Sequence, residues 1–122
     1  MHYSIGEGAM SKLVRCVRGA IVDVVVDARP DSPAFGAWEA FELDDENLRS
    51  LYVPPGFGHG FCVVSEVADV VYKQSSYYDP EVERAFAYDD PDIGIAWPND
   101  LDLRPSPRDR EAPRLREVAD VP

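Results

Sequence analysis

Leu51–Val64 reads LYVPPGFGHGFCVV, and the fold class turns on how this stretch is read. An apolar start meets Pro54, Pro55, Gly56 and Gly58, then His59, then a second apolar run. Proline fixes φ and glycine accepts backbone geometries that other residues resist, so the stretch predicts a shaped turn between two strands. It brings one of the chain's two histidines to the start of the second strand. A histidine on a rigid strand beside a glycine-lined turn suits a small-molecule site. The plainer alternative is a tight β-turn whose histidine only caps a strand.

Outward from this turn, the pattern is short strands and turn signals. Lys12–Val17 reads as a strand broken at Arg18-Gly19, and Ala20–Asp27 (AIVDVVVD) is a β-branched run with a strong strand signal. Within it Asp23 shares a face with Ile21 and Val25, which places it at a sheet edge or on a cavity wall. Arg29–Pro33 is a turn, and Trp38–Leu43 alternates as a half-exposed strand does. Residues 44–47 form an acidic turn, expected to be merely solvated. Leu48–Val53 and His59–Val64 flank the opening turn, and Asp69–Tyr78 is a further strand. Residues 1–11 read as a loop. Beyond Asp79 the chain is acidic and proline-bearing, with a short apolar unit at Ile93–Trp97 and a short helix over Asp109–Ala119, weakened at Pro113. Many short strands with almost no helical period predict an all-β sandwich or barrel.

At 122 residues the chain is expected to form a single domain over 1–122. No stretch reaches the about 20 apolar residues that span a bilayer, and the start lacks a signal-peptide apolar region, so no membrane and a cytoplasmic location are expected. Cys16 and Cys62 lie in apolar runs and read as buried free thiols. A formal net charge of −11 argues against nucleic acid as a partner. A small anionic ligand remains compatible with that charge, because local cations act within a Debye length; Lys12, Arg15 and Arg108 are the candidates.

Pro54-x-Gly56-x-x-His59 has the form of the second cupin motif, but no HxH exists and only His2 remains as a further histidine. A metal centre wants three or four ligands, so neither a metal nor any other cofactor is expected. There is no GxSxG, GxGxxG or P-loop, and neither cysteine has a neighbour that would activate it. What the residue types leave is general acid–base chemistry by His, Tyr, Asp and Lys.

KLVRCVRG (12–19), the long segment Ile21–Phe61, VVYKQSSYYDPEVE (70–83) and DDPDIGIAWP (89–98) together resemble the dTDP-4-dehydrorhamnose 3,5-epimerases, nucleotide-sugar epimerases of the cupin superfamily. The resemblance runs from His2 to about Pro113, with several motifs in order and spacing. It implies a cupin-like double-stranded β-helix, or jelly roll, with a short C-terminal helix. It also implies a dTDP-4-keto-6-deoxy sugar nucleotide as substrate and a homodimer.

The resemblance assigns roles residue by residue. His2 lies ten residues before Lys12, as the family's base histidine lies before the lysine at the sugar carbonyl. His59, in Gly56-Phe57-Gly58-His59-Gly60-Phe61, matches a substrate-binding histidine, and Tyr72 matches the acid tyrosine. Tyr78 ends the Tyr-Tyr pair that stacks on thymine. Glu83 and Arg108 match further substrate-binding positions, the arginine standing where lysine is usual, and Asp109 matches the aspartate paired with the base. Without the resemblance, His2 would read as a trivial terminal residue, Tyr72 as strand packing, Tyr77 and Tyr78 as an edge-strand pair, and Asp109 as a helix cap or solvated carboxylate.

The chain departs from the family at its start. Its Arg-Gly before the histidine motif is absent, Ser4 stands where glutamine is usual, and the N-terminal strands of the family are missing. The expectation is a chain truncated at its N-terminus, with Met1 an internal methionine of a longer frame. The alternative function is a non-catalytic cupin-like module that binds a nucleotide sugar or dimerises; a third is a cupin isomerase of another keto sugar.

Overall fold

The computed structural model describes residues 1–6, 8–98 and 101–119. Among these, eight strands and two helical turns follow in order: β1 (His2–Ser4), β2 (Lys12–Arg18), β3 (Ala20–Asp27), β4 (Trp38–Asp44), β5 (Ser50–Val53), β6 (Phe57–Val63), β7 (Asp69–Gln74), β8 (Glu83–Ala85), α1 (Pro107–Arg110) and α2 (Leu115–Val118). The strands form a five-stranded sheet, β4-β3-β6-β1-β8, and a three-stranded sheet, β5-β2-β7. Every pairing is antiparallel. This is the expected cupin-like jelly roll. No helix among the described residues is long and apolar enough to cross a membrane.

The period of two along each strand divides the molecule into two cores. Ile21 and Leu43 from the larger sheet meet Val14, Cys16 and Val53 from the smaller one, all at or near zero exposure, and close the sandwich at one end. The alternate residues of the larger sheet, Val24, Val26 and Tyr3, point out of its back. There they meet Phe86, Leu115 and Ala119, with Tyr88, Ile93, Ile95 and Trp97 packed around them. The apolar unit at Ile93–Trp97 therefore serves to cover the back of the sheet.

Several local expectations are corrected by long-range pairing. Residues 2–4 are a strand within the predicted loop, because β1 is held between β6 and β8; β8 itself carried no local signal. β5 begins at Ser50 because Leu48 adopts a φ of 55° that no strand residue can use. β6 starts at Phe57, so His59 is its third residue. β7 stops at Gln74, where Ser75 N–H turns to the Ser11 carbonyl, so Tyr77 and Tyr78 lie beyond the strand. Asp23 is not at an edge: β3 has β4 on one side and β6 on the other. The acidic turn does more than meet solvent, since Asp44 Oδ1 accepts from the N–H groups of Glu46 and Asn47, and Asp45 Oδ2 from that of Gly19. Pro113 divides the predicted helix into two single turns. Cys16 and Cys62 are free and buried, as expected.

Candidate active site

The open end of the sandwich holds a cavity of about 810 Å³ whose lining includes His2, Lys12, His59, Tyr72, Glu83 and Asp109. Strand alternation places five of these side chains on inward faces. His2, His59 and Glu83 come from the five-stranded sheet, with His2 and His59 directly opposite each other across β1 and β6. Lys12 and Tyr72 come from the neighbouring strands β2 and β7 of the three-stranded sheet. Asp109 arrives from the C-terminal side, on α1, where Ser106 accepts its N–H at 3.2 Å and Pro107 opens the turn.

His2 stands between two carboxylates. Its Nε2 is 2.6 Å from Asp109 Oδ1 and its Nδ1 is 3.0 Å from Glu83 Oε1. Arg108 Nη2 donates to the same Glu83 oxygen at 3.3 Å. Burial pushes the Asp109 carboxyl up, but the hydrogen bond from His2 and nearby positive charge outweigh it and hold it below its ordinary value. Asp109 is thus a standing acceptor for the imidazole.

Lys12 has no carboxylate among the described residues within ion-pair distance. Burial pushes its pKa down, with Glu83 and Asp23 pulling the other way. A partly desolvated ammonium without a counter-ion favours an anionic group in the cavity. Tyr72 meets His59 edge-on, with ring centroids 6.1 Å apart and planes at 85°. Burial, and then the charge of Asp23, push its phenol up to about 12, so it remains a proton donor at neutral pH.

Asp23, a polar residue on an apolar face, has no role that its sequence context reveals. It lies with its Oδ2 2.8 Å from His59 Nε2, both residues buried. The period-two alternation of β3 was the signal that placed it inward; its partner 36 positions away was not visible in that pattern. Two expected site residues stand apart from the main cavity. Tyr78 is more than half exposed and lines a smaller adjoining cavity of about 140 Å³ that also touches His2, Lys12 and Glu83. Arg108 reaches the site only through Glu83. Arg15, the third cation considered, is exposed on the outer face of β2 and takes no part.

Comparison with known proteins gives the family of the chain. The family model described as dTDP-4-dehydrorhamnose 3,5-epimerase matches residues 1–117. The dTDP-4-dehydrorhamnose 3,5-epimerase of Salmonella typhimurium is 44% identical over 118 residues, covering 97% of this chain and 64% of that protein. The dTDP-4-dehydrorhamnose 3-epimerase of Streptomyces niveus is 43% identical over 121 residues, covering 99% and 58%. Among solved structures, the Legionella pneumophila epimerase in complex with dTDP-4-keto-L-rhamnose superposes with a TM-score of 0.90 at 41% identity, covering 96% of this chain and 62% of that one. The 4-keto-6-deoxy sugar epimerase NovW of Streptomyces spheroides gives 0.91 at 44%, covering 98% and 59%. The chain spans less than two thirds of the length of each of these relatives. With a family model matching residues 1–117 and its two sheets superposing on solved members, the chain belongs to the dTDP-4-dehydrorhamnose 3,5-epimerase family.

Proposed function

We propose that this chain epimerises a dTDP-4-keto-6-deoxyhexose at C3, or at C3 and C5, by removing a proton from one face of the sugar and returning one to the other. The observation that carries the reading is that the His2–Asp109 pair and Tyr72 border one cavity from facing sheets. A 4-keto group acidifies the protons at C3 and C5. His2, kept oriented by Asp109, takes one of them. The C–H electron pair becomes part of an enolate whose charge rests on the C4 oxygen, where Lys12 stabilises it more than the ground-state ketone. Tyr72 then protonates the carbon from the other side and inverts it. His59, Glu83 and Arg108 bind the substrate, and Tyr78 stacks on its thymine. The reading carries with it a homodimer in the cytoplasm with 1–122 as one epimerase domain, in deoxysugar biosynthesis of the dTDP-rhamnose kind.

The coverage of less than two thirds of each relative favours one second reading, a non-catalytic module that binds a nucleotide sugar or dimerises. Incubation with the 4-keto sugar nucleotide in D₂O separates the two. Deuterium at C3 and C5 marks a double epimerase, and at C3 alone a mono-epimerase; a folded chain giving none is the binding module. His2→Ala and Asp109→Ala are each expected to lower exchange by about 100-fold or more with circular dichroism unchanged. Full exchange by His2→Ala removes the base assignment.

A further inference from the structure

Asp90 is a buried acidic side chain that the proposed chemistry does not use. It is 2% exposed and lines neither of the two cavities. Its Oδ1 accepts from Asp92 N–H and its Oδ2 from Leu115 N–H, both at 2.9 Å. Its own N–H donates to the Ala87 carbonyl at 3.3 Å, and its carbonyl accepts from Ile93 N–H at 3.1 Å and Gly94 N–H at 3.0 Å. The bond to Leu115 is buried and spans 25 positions, from the turn after β8 to the first residue of α2. That N–H is one of the donors a helix start leaves without a partner of its own.

The stretch from β8 to Asp90 holds both ends of the His2–Asp109 bond. On the histidine side β8 pairs with β1, His2 lying opposite Ala85, and Phe86 N–H donates to the Met1 carbonyl at 2.9 Å. On the aspartate side Ala87 N–H donates to the Pro113 carbonyl at 2.7 Å, and Asp90 takes the Leu115 N–H. The turn that carries Asp109, α1, buries no residue of its own. Among residues 101–119 the nearest buried one is Leu115, and Asp90 holds it.

We propose that Asp90 is a positioning residue for the His2–Asp109 pair. It pins the start of α2 to the turn after β8 and so sets where Asp109 meets His2. A contact of 2.6 Å between the two side chains needs placement within about 0.5 Å. Without Asp90 the Leu115 N–H loses its buried acceptor, which favours an undocked C-terminal segment. The part Asp90 plays in turnover rests on the epimerase reading above; its link to the pair does not.

Asp90→Asn keeps the size but turns one acceptor oxygen into an amide donor, and Asp90→Ala removes both acceptors. The chain has two histidines, so imidazole NMR signals follow His2 with His59, held by Asp23, as the internal control. Both variants are expected to move the His2 ring signals toward their positions in Asp109→Ala and to leave those of His59 in place. His2 signals that stay, or that move together with those of His59, overturn the proposal. In the D₂O exchange reaction kcat of Asp90→Asn is expected to fall about tenfold, with KM within about threefold of the parent. Added to Asp109→Ala, the same change is expected to have no further effect, because Asp90 acts through Asp109. An unchanged kcat, a rise in KM alone, or the full tenfold loss on top of Asp109→Ala overturns the positioning role and leaves the epimerase reading standing. Loss of folding by circular dichroism in both variants overturns it too, since Asp90 would then serve the fold alone. A parent chain that gives no exchange overturns the epimerase reading, and the NMR signals still decide whether Asp90 sets the pair.

Discussion

Lys12 and Tyr72 respond to burial in opposite ways, and the proposed chemistry makes that difference measurable. Desolvation disfavours whichever form is charged, so it lowers the ammonium of Lys12 and raises the phenol of Tyr72 to about 12. As pH rises, Lys12 loses its charge before Tyr72 loses its proton. The alkaline fall of kcat/KM is therefore expected to report Lys12. Lys12→Arg, which stays charged, should move that limb to higher pH even if it lowers the rate, and Lys12→Met should lower kcat by about 100-fold. A pH profile of Lys12→Arg with the limb unmoved would assign it to another group. The resemblance supplied the role of Lys12 and its own side chain the charge. That no carboxylate among the described residues pairs with it, on which its electrostatic effect depends, came only from the packed site.

At the scale of elements, β6 shows how one strand serves the site and the core together. His59 points into the sandwich, and its neighbours Gly58 and Gly60 face the back of the sheet. A Cβ on Gly58 would come within 2.5 Å of two ring atoms of Phe86, which is fully buried. A Cβ on Gly60 would meet the Met1 sulfur at 2.5 Å, near the end of a side chain that can swing aside. Gly58→Ala is expected to cost about 1–3 kcal/mol, because a packed ring must shift, and Gly60→Ala distinctly less. Chemical denaturation of the two variants measures the difference; equal losses would mean that the Phe86 contact does not set the cost. Gly58, read in sequence as part of the turn, thus acts here as clearance for a core that the local pattern does not reveal. β1 and β8 make the same point, since each has only three residues and exists as a strand because of its neighbours.

For the whole molecule, the acid end of the stability curve turns on Asp27, at the end of β3. Arg29 donates to both of its oxygens, from Nε at 3.0 Å and Nη2 at 2.9 Å, and Ser32 Oγ donates to it at 2.6 Å. The Arg29 guanidinium also lies 4.7 Å from the centre of the Phe57 ring, which ties this turn to the one that opens β6. The hydrogen bonds from Arg29, ahead of the opposing effect of burial, lower the Asp27 carboxyl from 3.8 to about 2. A carboxyl lowered in the folded state stabilises it fully above the unfolded value, and this is lost as pH falls through the folded one. Stability should therefore decline between about pH 4 and 2 through this group. Asp27→Asn is expected to cost about 1–2 kcal/mol at neutral pH, the gap to the parent closing toward pH 2. Thermal melts across that range test it, and a gap independent of pH would show that the pairing does not contribute through ionisation.

The sequence by itself determined the all-β class, the cores of six strands (β2 to β7), the turn before His59 and, through family resemblance, the identities of the candidate site residues. These are properties of local pattern: period two, β-branched runs and the dihedral limits of proline and glycine act within a few residues. Tertiary structure decided which of those residues meet. His2 and Asp109 lie 107 positions apart, His2 and Glu83 lie 81 apart, and His59 and Asp23 lie 36 apart. No local preference links such pairs; closing the two sheets and laying the C-terminal turn over β1 does. Leu51–Val64 set the frame, and the packing of distant strands around it gave His2 its two carboxylates.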